Sequence, residues 1–301
     1  MTTVPVLLDT DIGSDIDDGI ALAYLIAEPR CELRGVTTVS GLPRVRAALA
    51  DAVCRAGRVT DVPIHAGAEH AIVGDTPQPD VPQAAVLERF DHRPADDFEA
   101  STAVTFLRDT ILAAPGELTL LTIGPLTNAA LLFATYPDVV PALRSLVIMG
   151  GAYSSSHWIG GGQEWNTFCD PTAARIVYRT PVDDHRSLGL DVTTQCTMPS
   201  DEVVSRFESI GGALDVVAAM TEVWATGVDT VTFHDPLAAV CVPEPDVCTW
   251  RGGRVSVELT SRRFRGATSF DAEADGGPHL VAGTVDRARF FDVLFGAWRA
   301  A

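Results

Sequence analysis

The chain has no lysine, no Cys-x-x-Cys pair and no apolar run long enough to cross a bilayer. Positive charge is scarce: 22 arginines stand against 40 acidic residues, for a formal net charge of −18. That argues against a nucleic-acid or anionic-membrane surface and favours a small ligand. The six cysteines, Cys31, Cys54, Cys169, Cys196, Cys241 and Cys248, are scattered and have no histidine at zinc spacing. They read as small buried hydrophobes in a reducing compartment. Only a few residues precede the first strand-like run, too few for a signal peptide. The expectation is a soluble, cytoplasmic protein. With no repeat, low-complexity tract or linker, residues 1–301 are expected to form one large α/β domain.

What the chain does have is acid, concentrated near its start. Residues 4–8 are an apolar run of the kind that forms a strand buried on both faces, and 18–27 carry apolar residues at helical spacing. Asp9, Asp11, Asp15, Asp17 and Asp18 fall in the turn between them or at its edges. Helix capping and the helix dipole account for one or two acids at such a place. Five crowded carboxylates do not ionise together without positive charge among them. A hard cation supplies it: calcium takes about 6 to 8 oxygen ligands, magnesium fewer with more water. Gly13 provides the permissive backbone that folds the acids inward.

Farther on, strand-like and helix-like segments alternate. Residues 33–39, 62–65, 118–123 and 145–149 read as strands, and 44–56, 101–113, 126–134 and 171–178 as helices, with Ser101 as an N-cap. Residues 71–97, rich in Pro and Asp, read as a loop or lid. Residues 201–227 and 234–242 are helical, 255–259 and 279–284 are strands at the sheet margin, and 286–297 form a closing helix. The pattern predicts a single open, mostly parallel sheet flanked by helices. Helical and loop insertions fall at the carboxyl ends of its strands, the edge where such sheets bind ligands.

Three more polar clusters sit at predicted strand or helix ends. In TIGPLTN, 122–128, Gly-Pro ends a strand and leaves the Ile123 carbonyl without a ladder partner, available to a cation; the ordinary alternative is a loop in which Thr127 or Asn128 caps the next helix. In GGGQEWNTFCDP, 160–171, an extended backbone would point Glu164 and Asn166 the same way, as sugar hydroxyls require. The alternative makes them solvated loop residues beside a core Trp165. Asp170 before Pro171 reads as a helix N-cap. In FHDP, 233–236, His234 and Asp235 open a helix, where a satisfied histidine and a capping acid are the simpler explanation. The pair gains weight from the other clusters.

Taken together, DTDIGSDIDD, GPLTN, MGG followed by EWN and DP, and the late HDP follow the order and intervals of the nucleoside hydrolase family, which the chain resembles over nearly its whole length. The resemblance implies that family's fold, with a Rossmann-like core, and calcium-dependent hydrolysis of the N-glycosidic bond of ribonucleosides. It implies that Asp11, Asp18, Asp235 and the backbone oxygen of Ile123 hold Ca2+, and that Asp11 takes the proton of the attacking water. Asp17, Glu164 and Asn166 would bind ribose hydroxyls, His234 would assist departure of the base, and Asp9 would support the site from behind. A homodimer or homotetramer is expected on the same ground. The chemistry agrees, because an oxocarbenium-like ribosyl cation gains from surrounding negative charge and a deprotonated water.

Three departures bear on the substrate. The aspartate turn is two residues longer than the commonest family form, DxDPGxDD, which adds Asp15. Leu42 stands where many members have Asn or Asp. Residues 154–162 do not align, and Trp158 or His157 takes the place of an Asn often found there, with Trp158 the expected substrate contact. Retention of His234 favours a pyrimidine, inosine-uridine-like or broad preference over a purine-specific one. A non-catalytic nucleoside or riboside binder is the main rival reading, from Leu42 and the altered glycine loop. A HAD-type phosphatase, from the strand and DxD turn, needs a downstream lysine that the chain lacks.

Overall fold

β1, Val4–Thr10, is buried along its last five residues and lies inside a nine-stranded sheet. Its side chains divide between the two faces: Val6 and Leu8 pack into one hydrophobic cluster and Leu7 into the other. A strand covered on both faces has no reason to alternate polar and apolar residues, which explains its continuous apolar run. The structure, a computed structural model, describes residues 3–154, 163–274 and 276–300.

β1 pairs in parallel with β2, Cys31–Thr38, and β2 with β3, Ile64–Ala66. On its other side come β4, Thr119–Thr122, then β5, Ser145–Met149, β6, His185–Leu188, and β11, His279–Val285, all parallel. β9, Cys248–Val257, adds to β11 antiparallel, and β10, Thr268–Asp271, to β9. The order is β10-β9-β11-β6-β5-β4-β1-β2-β3. β7, Thr197–Pro199, and β8, Thr230–Thr232, form a separate antiparallel pair. The chain leaves β1 toward β2 on one side and returns to β4 on the other. That reversal opens a crevice at the carboxyl ends of β1 and β4.

Several expectations are corrected in detail. The helix after residue 100 starts at Ala103, not Ser101. Ser101 has a left-handed φ of +61°, and no side chain caps this helix. The Thr102 hydroxyl instead donates to Glu99 O at 3.2 Å and lies 2.9 Å from His65 Nδ1. Residues 71–97 contain 3-10 turns at Pro82–Arg89 and Ala95–Asp97. The helical stretch after 200 is two helices, Ser200–Ile210 and Ala213–Trp224, broken at Gly211-Gly212. β6 was not expected, because HRSL reads as polar; its His185 and Ser187 are fully buried all the same. Among the described residues no helix is long and apolar enough to cross a membrane.

Candidate active site

The site grows out of the end of β1. Asp9 is the last residue of β1 with sheet neighbours on both sides, Thr37 and Thr122. Its Oδ1 accepts from Thr37 Oγ1 at 2.5 Å and Asn128 Nδ2 at 2.7 Å, while its buried Oδ2 has no partner among the described residues. Burial first, then the neighbouring Asp11, pushes its pKa up to about 7 against those two hydrogen bonds. Asp9 therefore supports the turn from below, and Asn128 holds Asp9 rather than capping a helix.

Beyond Asp9 the chain turns through Gly13, whose φ of +111° favours glycine and whose missing Cβ would meet Val81 Cγ1 at 2.5 Å. The helix Asp17–Ala27 follows, with Ile16 at its N-cap and no side-chain cap, so neither Asp15 nor Asp17 serves that purpose. Asp17 and Asp18 are buried instead. Thr10 Oγ1 donates to Asp18 Oδ1, and the backbone N–H of Asp235 donates to Asp17 Oδ2 at 3.0 Å. The helix His234–Val240 thus docks on the aspartate turn and adds its own buried carboxylate. Oxygens of Asp17, Asp18 and Asp235 all lie within 4.8 Å of one another. Asp11 falls outside that group of three and lines the same cavity.

Burial is the main reason that Asp17, Asp18 and Asp235 have pKa values well above the usual carboxylate range, and the neighbouring acids raise them further. Burial also raises Asp11, to about 6, against the pull of Arg46. Arg46 is fully buried in the helix Pro43–Ala56. Its Nε donates to Ser40 O at 2.7 Å, and its Nη1 to Asp11 O, to Ile12 O at 3.0 Å and to Ser14 Oγ at 2.8 Å. One guanidinium does not balance four buried carboxylates. The donor set is all oxygen, with neither cysteine nor histidine in the group of three, so the residues fit a hard cation of the calcium or magnesium kind.

The Glu164–Asn166 segment is extended only at Glu164 and turns helical from Trp165 on. Glu164 is the N-cap of a short helix, Trp165–Cys169, and its carboxylate accepts from Asn166 N at 2.6 Å and from Thr167 N and Gly151 N at 3.0 Å each. Burial raises the Glu164 pKa, and these N–H groups oppose the rise. Both Glu164 and Asn166 are buried yet line the cavity. Asn166 Nδ2 donates to Ile123 O at 2.8 Å and Met149 O at 3.1 Å, so the Ile123 carbonyl already has one partner. Trp165 is 45% exposed, at the cavity wall rather than in the core. Asp170 is the N-cap expected of it, accepting from Ala173 N at 2.9 Å. It also accepts from Thr127 Oγ1 at 2.9 Å, which explains Thr127 without a capping role.

A cavity of about 310 Å³ collects Asp11, Asp17, Asp18, Ile123, Glu164, Asn166, His234 and Asp235, together with Asp15, Gln78 and Trp165. The volume is at the small end of the range for small-molecule sites. His234 is half-buried; its Nδ1 lies 2.7 Å from Thr193 Oγ1, and burial pushes its pKa down to about 4. Leu42 is 45% exposed and is not among the lining residues. Trp158 and His157 lie outside the described residues. Sequence reasoning missed Arg46, Gln78 and Thr193. For Arg46 the signal was an arginine inside an otherwise apolar helix face; Gln78 and Thr193 had none.

The family model described as "Inosine-uridine preferring nucleoside hydrolase" matches residues 6–292. Uridine nucleosidase 1 of Arabidopsis thaliana is 29% identical over 271 residues, covering 84% of this chain and 77% of the plant protein. The pyrimidine-specific ribonucleoside hydrolase RihB of Escherichia coli is 32% identical over 219 residues, covering 69% of this chain and 66% of its own. The solved structure of the plant nucleoside hydrolase PpNRh1 superposes with a TM-score of 0.83 at 23% identity, covering 99% of both chains.

Proposed function

The chain belongs to the inosine-uridine preferring nucleoside hydrolase family, and from that premise we propose that it is a calcium-dependent ribonucleoside N-ribohydrolase, giving ribose and free base. The observation that carries the reading is one cavity in which three mutually close carboxylates, the buried pair Glu164 and Asn166, and His234 face the same space. In this reading Asp18 and Asp235 of that trio, joined by Asp11 and the Ile123 carbonyl from the same cavity, would hold the ion, and Asp17 turns to the sugar. When bound, calcium lowers the pKa of the attacking water and fixes its position. Asp11 accepts the water's proton, the role open to a carboxylate beside the ion. Asp17, Glu164 and Asn166 take the ribose hydroxyls, and their negative charge favours the developing ribosyl cation. His234 faces the leaving base, and Trp165 offers it an aromatic wall. The substrate reading is a pyrimidine nucleoside first, uridine above all, from His234 and from the names of the two relatives. A cytoplasmic homodimer or homotetramer belongs to the same reading.

The test is a panel of uridine, cytidine, inosine and adenosine with purified protein, before and after chelation. Free base should appear, disappear on chelation and return with calcium. Binding without release of base would support the non-catalytic alternative, and release that is indifferent to chelation would overturn the calcium assignment.

A further inference from the structure

We infer that Thr193 is a positioning residue that fixes the tautomer of His234, so that its Nε2–H points at the leaving base. Thr193 closes the one-turn helix Leu190–Thr193 after β6 and is fully buried. Its hydroxyl lies 2.7 Å from His234 Nδ1 and makes no other hydrogen bond among the described residues. A buried hydroxyl has one proton to place, and leaving it without an acceptor is costly. Nδ1 is the acceptor on hand. If the Thr193 hydroxyl donates to Nδ1, the ring carries its own proton on Nε2. No described residue hydrogen-bonds Nε2, and the ring lines the cavity. The reverse arrangement strands the hydroxyl proton and presents a bare nitrogen to the base. The threonine thus selects leaving groups that bring a lone pair, a ring nitrogen or carbonyl oxygen, to the Nε2–H.

This inference rests on the proposed hydrolysis for its kinetic test and on geometry alone for its spectroscopic one. In calcium-loaded protein labelled with 15N-histidine, with the His234 signals identified by their loss in His234→Ala, the long-range 1H–15N pattern should be that of the Nε2–H form. Thr193→Val should change it, and Thr193→Ser should preserve it. An Nδ1–H pattern in the unaltered protein, or no change in Thr193→Val, overturns the inference. Kinetically, Thr193→Val should lower kcat for uridine by about 10-fold, the worth of one hydrogen bond to the leaving base, with KM moved less than about threefold. On an activated 4-nitrophenyl riboside the loss should stay below about threefold, and Thr193→Ser should recover most of the uridine rate. Equal losses on both substrates would reduce Thr193 to packing. If the unaltered protein cleaves neither substrate, the proposed hydrolysis fails, and the tautomer alone decides.

Discussion

Asp11 meets two opposed demands. In its proposed role as the base it must be ionised, yet in the metal-free site burial raises its pKa to about 6, with Arg46 the opposing charge. A pKa two units above the ordinary 3.8 means that the ionised form costs the metal-free fold on the order of 3 kcal/mol near neutrality. Asp11→Asn removes that cost while keeping the shape. It is expected to abolish release of base, by at least about 10²-fold, and to leave the metal-free melting temperature unchanged or raised. Substantial residual turnover would mean that another group is the base. The aspartates were legible in the sequence because chemistry and motif coincide in one short stretch. Arg46 and Thr193 were not, because each earns its place through a contact with a distant part of the chain: Asp11 is 35 residues from Arg46, and His234 is 41 from Thr193.

At the scale of elements, the ends of β1 and β4 approach so closely that Gly124 has no room for a side chain. A Cβ there would lie 2.8 Å from both the N and the Oδ1 of Asp11. Gly124→Ala should therefore displace the Asp11 carboxylate and cost about 10²-fold in turnover, since misplacement of a catalytic group by an ångström has that effect. Kinetics beside a structure of the variant would check it, and a rate like that of the unaltered protein would show that the β4 loop yields instead. The parallel strands were legible because strands covered on both faces must be apolar throughout. β6 was not, because His185 and Ser187 are buried by contacts that the four-residue segment does not announce. Asn166 departs from the extended alternative because Glu164, itself extended, caps the Trp165–Cys169 helix and turns the backbone there.

Over the whole molecule, the burial of so much like charge ties stability to metal and pH. Asp9 and Asp11 have pKa values raised to about 7 and about 6. A carboxyl raised in the folded state contributes stability that is present below its ordinary value of 3.8 and is lost as pH rises through its folded value. Metal-free protein should lose that contribution between pH 4 and 7. If calcium is the proposed ion, it binds the ionised forms and should restore it, so the rise in melting temperature on adding calcium should be larger at pH 7.5 than at pH 5. An equal rise at both would detach the ion from these acids. The most direct test of the central claim is a crystal structure with calcium and a non-hydrolysable ribosyl analogue. The account predicts the ion on Asp11, Asp18, Asp235 and the Ile123 carbonyl, the sugar hydroxyls on Asp17, Glu164 and Asn166, and the base against His234. An ion bound elsewhere, or a sugar whose base points away from His234, would contradict it.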